Sequence, residues 1–285
     1  MISKRSTAQF NKAREFIMDQ GRELDQKLFM YHFENGSRES VLDVLRNHQN
    51  LDGGFQNTGE GPRNESSPIG TSVAFQHLIA LDASPDSSMV RDGINYIITS
   101  FNTSLEMWQP ASDWLHEGDN LIQGWGNPSA ELVGYLYKYR QWVPASFLQK
   151  ALDLAEKNLS AVTRPMDPFV LLCYMRLADI VPDPLKKVIL QKLYEDVPKV
   201  IEADESKWPN WCIKPYWFAK SPSSPVSGLI KRDVIRSLDY EIRNLTNEGF
   251  IPLHWNASEE DTKAWRSILT LDVLRALRDY NMLEV

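Results

Sequence analysis

Apolar residues recur with helical spacing along almost the whole chain, and the two-residue alternation of a half-buried strand is nearly absent. Phe10, Ala13, Phe16 and Ile17 line one face of an opening helix, and Val41, Leu42, Val44 and Leu45 line another ahead of Gln49. Helical runs are also predicted from Pro68 to Leu81, from Pro128 to Tyr139, from Phe169 to Leu177 and from Thr262 to Tyr280. The first three are apolar on most faces, as helices of an inner layer are. Between the runs lie more amphipathic segments, at about 86–101, 145–158, 184–203 and 233–245, with charge on one side. Inner and outer helices therefore alternate, and the pattern predicts an all-α protein.

A recurring join connects the layers. A loop with Gly and an aromatic residue runs into a small or polar residue, often Pro, and then into an apolar helix. Gly53-Gly54-Phe55 leads to Ser67-Pro68-Ile69-Gly70-Thr71, and Gly124-Trp125-Gly126 leads to Asn127-Pro128-Ser129. Looser copies occur at Arg164–Pro168, at Trp208–Trp217 ahead of Ser221–Pro225, and at Gly249-Phe250 with Trp255. Pro suits a first helical turn because its missing N–H would find no partner there anyway. Ser67 and Asn127 are the predicted N-caps. Repeated helix pairs form solenoids, arrays or closed rings. Uneven spacing and long aromatic loops favour a ring whose loops gather at one mouth. The expectation is a single α/α toroid domain over residues 1–285, built of about five to six helix hairpins.

Gln49-Asn50-Leu51-Asp52-Gly53-Gly54-Phe55-Gln56 resembles the Gln-x-x-Asp-Gly-Gly-Phe segment in β subunits of protein prenyltransferases. It is similar also to the Gln/Trp repeats of squalene-hopene cyclases. Ser67-Pro68-Ile69 and Asn127-Pro128-Ser129-Ala130-Glu131 resemble pieces of bacterial prenyltransferase-like proteins. The resemblance implies a terpenoid cyclase-like toroid in which Gln49 and Phe55 tie an outer helix to its loop. It also implies a cavity for an apolar, isoprenoid-like molecule. The residues themselves point to a structural role: Gln49 can bond loop backbone, Phe55 can cap the apolar layer, and Gly53 and Gly54 permit unusual torsions. Such a motif marks a scaffold and leaves the reaction open.

Composition and charge narrow the partners. Hydrophobic residues make up 42% and charged residues 24% of 285, enough to bury a full core. The net charge of −7 is spread along the chain, and Lys231-Arg232 with Arg236 is short and interrupted by Asp233, so no nucleic-acid partner is expected. The N-terminus is polar, without the apolar run of a secretory signal. No segment reaches the roughly 20 apolar residues that span a bilayer. Cys173 and Cys212 form no disulfide framework, and a cytoplasmic location is expected.

Several activities lack their motifs. The Asp-x-Asp-Asp run of alkene-protonating cyclases does not occur, and Asp82 and Asp86 read as loop and cap. Glu259-Glu260-Asp261 precedes the final helix, where carboxylates favour the positive end of the dipole. Cys212 lacks the Asp of a prenyltransferase zinc site, Cys173 sits in an apolar helical run, and the five histidines show no paired spacing. No metal or other cofactor is expected. Phosphate-binding glycine loops and nucleophile elbows are missing as well.

The loops hold the remaining candidates, and most of the nine tryptophans. Their rings either plug the toroid or line a ligand cavity. The catalytic candidates are Glu60, Asp113, Asp119 and Glu131, with Glu117 beside the middle pair. A solvated acidic loop, a helix-dipole role for Glu131 and an ion pair of Glu60 with Arg63 are the plainer readings. The binding candidates are Arg63, Trp108, Trp114, His116, Trp125, Trp211, Trp217, His254 and Trp255. Three functions compete: an enzyme or binder of an isoprenoid-like molecule, a carbohydrate-active hydrolase or lyase, and a non-catalytic binding module. Each takes a small ligand or partner, apolar or sugar-like, and enzyme activity is left open.

Overall fold

The computed structural model describes residues 7–111, 125–161 and 165–283. Eleven α-helices and no strand occur among them: α1 Thr7–Gln20, α2 Glu23–Phe33, α3 Arg38–Arg46, α4 Pro68–Ala80, α5 Ser88–Thr99, α6 Ser129–Lys138, α7 Ala145–Ala161, α8 Pro168–Ala178, α9 Leu185–Val200, α10 Ser227–Arg243 and α11 Glu259–Asp279. The fold is all-α, as the periodicity predicts, and α4, α6, α8 and α11 fall on the four expected runs. Helix α10 begins at Ser227, earlier than the amphipathic segment expected from 233. The chain clusters into two compact units, one of Leu45–Lys199, the other of residues up to Val44 and from Val200 onward.

The caps follow local chemistry. Ser67 Oγ accepts from the Gly70 N–H at 3.0 Å, the expected N-cap of α4. Asn127 does not cap α6: Pro128 occupies that position, and the Asn127 amide oxygen meets Cys173 Sγ at 3.6 Å instead. Asp167 caps α8 through the N–H groups of Phe169 and Val170. Ser258 caps α11, whose first turn holds Glu259, Glu260 and Asp261, so the acidic triplet complements the helix dipole.

In the 45–199 unit, α6 packs on α7 and α8, and α4 on α5 and α6. Phe75 stacks on Tyr135 at 5.3 Å and meets Phe55 and Tyr139 edge-on. In the other unit α11 lies against α1, α2 and α10, and α10 also packs on a 3₁₀ turn at Pro215–Trp217.

One device repeats across both units. A tight turn closes by a backbone bond: Asn50 N–H to Gly54 O (2.9 Å), Asn102 N–H to Met107 O (3.0 Å), and Thr246 N–H to Phe250 O (3.0 Å). The residue before each accepting carbonyl is left-handed: Gly53 at φ 88°, Glu106 at 54° and Gly249 at 93°. The residue after it donates its N–H to a hydroxyl on a following helix: Phe55 to Thr71 (3.0 Å), Trp108 to Ser129 (3.2 Å), and Ile251 to Thr270 (2.9 Å). All six of these residues are buried, so the hydroxyl satisfies an N–H that water does not reach. The first copy is the motif expected to be structural. Gln49 Nε2 donates to Gly53 O and to Met89 O, both at 2.9 Å, and thereby ties the turn to α5. A Cβ on Gly53 would collide with the Asp92 carbonyl, which requires glycine there in addition to the torsion.

Replacing Thr71 or Thr270 by Val keeps the shape and removes the acceptor. Each is expected to cost about 1–3 kcal/mol, the penalty for a buried N–H without a partner. Thr71→Ser should cost much less, and denaturant unfolding of the three variants measures the difference.

Candidate functional site

The latch at Ile251 leads directly into a place where four of the sequence candidates among the described residues converge. Pro252, His254 and Trp255 follow it, and they face Trp211, Cys212, Lys214 and Trp217 across a cleft, with Tyr216, Glu241, Leu269 and Ile251 completing the lining. Residues 215–217 form the 3₁₀ turn on α10, which presents Tyr216 and Trp217, while Glu241 comes from the last turns of α10 itself. Four expected binding residues, Trp211, Trp217, His254 and Trp255, therefore line one cleft within one unit. The cleft measures about 290 Å³ with its open mouth, and its enclosed part about 20 Å³, room for about one water molecule. The indoles thus fill much of the space they surround, and Trp211, 52% exposed, forms part of the rim.

At the cleft lies a buried ion pair. Lys214 Nζ donates to Glu241 Oε1 at 2.5 Å, with both side chains at least 96% buried. The ammonium also stands 5.0 Å from the Tyr240 ring centre, a cation–π contact. Oε2 of Glu241 is buried without a protein partner. Burial raises the Glu241 carboxyl above the usual range, and Lys214 opposes that rise. Burial first, then the nearby Lys214 charge, lower the His254 imidazole, against an opposing pull from the Pro209 backbone. Burial pushes the Cys212 thiol up, which keeps it protonated and weakly nucleophilic. Tyr216 meets Trp217 edge-on at 6.4 Å, and Trp255 meets Trp265 edge-on at 5.4 Å.

A second polar centre lies in the 45–199 unit. Glu131, 1% exposed, sits in the first turn of α6. Its two oxygens accept from Gln76 on α4 (3.2 Å) and from Arg176 on α8 (2.5 Å). The carboxylate thus joins three helices, which suits a strut more than a free acid or base. Tyr135, one turn further along α6, and Cys173, one turn before Arg176, are pushed up by burial and by the Glu131 charge. Glu60 is half-buried in the loop before α4, near enough to Cys173 to add to that shift. Arg63 is half-buried and donates to Asn57 Oδ1 at 3.4 Å.

Two expected binding rings are core residues. Trp108 is fully buried, its indole N–H bonded to Ile97 O at 2.6 Å and its ring set against Phe101 and Phe147. Trp125 is 4% exposed, bonded to Glu106 O at 2.9 Å and tilted against Tyr174. Each has an apolar body in the core and a satisfied N–H, which leaves neither surface nor donor for a ligand. Asp113, Trp114, His116, Glu117 and Asp119 lie outside the described residues. Lys214 and Glu241 were missed, although both carried a signal. Lys214 interrupts the apolar run around Ile213 and Pro215–Ala219, and Glu241 falls on the apolar stripe of α10 that holds Ile230, Val234 and Leu238.

Among the described residues no three metal-ligating side chains come together, and no helix is long and apolar enough to cross a membrane. The chain matches no protein-family model, no curated protein and no solved structure.

Lys214→Met should leave Glu241 buried without its counter-charge, at a cost of about 3–5 kcal/mol near neutral pH. A folded-state carboxyl raised above its ordinary 4.5 gives stability that is complete below that value and is lost as pH rises through the folded value. The deficit is therefore expected to shrink as pH falls toward that ordinary value. Unfolding midpoints of wild type and variant, measured across that range, would show a pH-independent gap if the pair does not act this way.

Proposed function

We propose that this chain is a small-molecule-binding protein whose ligand enters the cleft of Trp211, Trp217, His254 and Trp255. The observation that carries the reading is their convergence, from two separate loops, around a buried charged pair. Aromatic walls with a few placed polar groups are the usual construction of a ligand site.

Binding is favoured over catalysis by the groups at hand. Glu241 is the one carboxylate lining the cleft among the described residues, whereas glycoside hydrolysis works with a pair. The Cys212 thiol is raised rather than activated. The size also bears on the ligand. The enclosed part of the cleft, about 20 Å³, is far below the roughly 300–1,000 Å³ typical of ligand pockets, so a ligand enters only as the rim tryptophans move aside, and a small one is favoured over a chain of several isoprene units. An isoprenoid ligand is supported by the likeness of Gln49–Gln56 to prenyltransferase and cyclase segments. The same likeness, together with the thrice-repeated latch, supports an α/α toroid scaffold of that kind.

The test is a thermal-shift screen of the full chain against small sugars, prenols and amines, followed by titration of Trp211→Ala. Any stabilising compound is expected to bind the variant roughly tenfold more weakly. The unfolding midpoint of the free variant should stay unchanged, since the ring is half-exposed. Ligands that bind the variant as well as the wild type would place binding elsewhere.

A further inference from the structure

We propose that residues 252–257 are a strap that opens and closes the cleft. It bows away from the opposite wall between two fixed ends, and the ring contact of Trp255 with Trp265 is its clasp. The purpose of the opening rests on the binding reading above, whereas the motion rests on how the two walls are held.

The opposite wall is bonded along its length. Ile213 O accepts from the Glu202 N–H at 2.8 Å, and the Trp217 and Phe218 N–H groups donate to Lys214 O (3.1 Å) and Pro215 O (3.2 Å). Lys214 is further held by Glu241 in the buried pair. Residues 252–257 differ: among the described residues they enter no backbone–backbone hydrogen bond. Residues 252–255 are half-buried and 256–257 exposed, so water satisfies peptide groups that structure does not. A segment with few bonds and a wet backbone opens at low cost while its surroundings stay folded.

Both ends of the segment are fixed to one helix. Buried Ile251 donates to buried Thr270 at 2.9 Å, and Phe250 before it lies under the Arg266 guanidinium at 4.2 Å. At the other end Ser258 Oγ accepts from the Asp261 N–H at 3.1 Å and donates to Asp261 Oδ2 at 2.6 Å. Ser258 and Thr270 are twelve residues apart along α11, which sets the anchors about 18 Å apart at about 1.5 Å per residue. The seven-residue step from Ile251 to Ser258 reaches about 25 Å when extended. The strap is therefore longer than its span by about 7 Å, which lets it bow outward and keeps it from leaving. Near its middle, Trp255 rests edge-on against Trp265 at 5.4 Å. One such pair favours the closed form about two- to tenfold. Closed, the cleft holds about one water molecule, and the bow supplies the room that a ligand needs.

Fluorine NMR of the full chain labelled with 5-fluorotryptophan tests the strap without any ligand, with each line assigned by a Trp→Phe variant. The Trp255 line is expected to be broadened by exchange in the microsecond-to-millisecond range. The Trp208 line should stay sharp, since that indole is fully buried and bonded to Glu202 O at 2.7 Å in the same unit. Trp265→Leu removes the clasp, and alkylation of Cys212 in the cleft by iodoacetamide, located by peptide mass spectrometry, should then run about two- to tenfold faster. An unmoved Trp208 line shows that the unit is still folded in that variant. If Trp265→Leu does not fold, the wild-type lines decide alone. A Trp255 line as sharp as that of Trp208, or unchanged Cys212 alkylation in a folded Trp265→Leu, would overturn the strap. A strap that opens in a chain that binds no screened compound removes the binding reading and keeps the motion, and a ligand bound at Trp211 with the strap immobile removes the strap alone.

Discussion

The structure depends on the partnering of one kind of backbone N–H. Each of three tight turns ends by sending its chain into the core, where the next N–H has no access to water. A buried N–H left bare costs as much as a lost hydrogen bond, so the position of a single helix hydroxyl decides whether the turn can be buried at all. Thr71, Ser129 and Thr270 provide it. The same contact fixes the register between turn and helix. In the unit that holds residues from 200 onward, the latch at Ile251 sets where Pro252, His254 and Trp255 begin, and with them one wall of the cleft. On the other wall, the Pro215–Trp217 turn is held against α10, which also brings Glu241. The cleft is thus a by-product of two packing solutions that meet around one ion pair.

The helices were largely legible in the sequence because apolar periodicity reports directly on burial. The first turn was legible too, since Gly53 and Gly54 advertise torsions that other residues resist and Gln49 has only local backbone to bond. The second turn was misplaced. The Gly-aromatic rule points to Gly124-Trp125, but the structural counterpart of Gly53-Gly54-Phe55 is Glu106-Met107-Trp108. Glu106 occupies the left-handed position without being glycine, so the pattern that marks the other copies is absent there. Trp108 consequently looked like a loop ring available to a ligand, whereas it holds the place that Phe55 and Ile251 hold elsewhere.

The candidate site was legible in part, and for a chemical reason. Tryptophans in loops are conspicuous by composition, and four of the named residues share the cleft. Lys214 and Glu241 are ordinary residues whose meaning lies in their neighbours. A charge on an apolar stripe shows only that a partner must exist, and the partner here is 27 residues away in another element. Glu131 shows the converse: its position at the start of a helix was plain, but Gln76 and Arg176, which occupy both oxygens, are set by tertiary packing.

Glu106 gives the three turns different sensitivities. Where the other two have glycine, the middle turn has a side chain that reaches α7 and pairs with Lys150 at 3.2 Å and Lys157 at 3.8 Å. These contacts are half-exposed, and such pairs contribute at most about 1 kcal/mol and fade with added salt. They oppose a torsion that costs a non-glycine residue about 1–2 kcal/mol. Added salt therefore weakens a pair at the left-handed position of the middle turn that the glycines of the other two turns cannot make, so that three turns of the same geometry are held by different means.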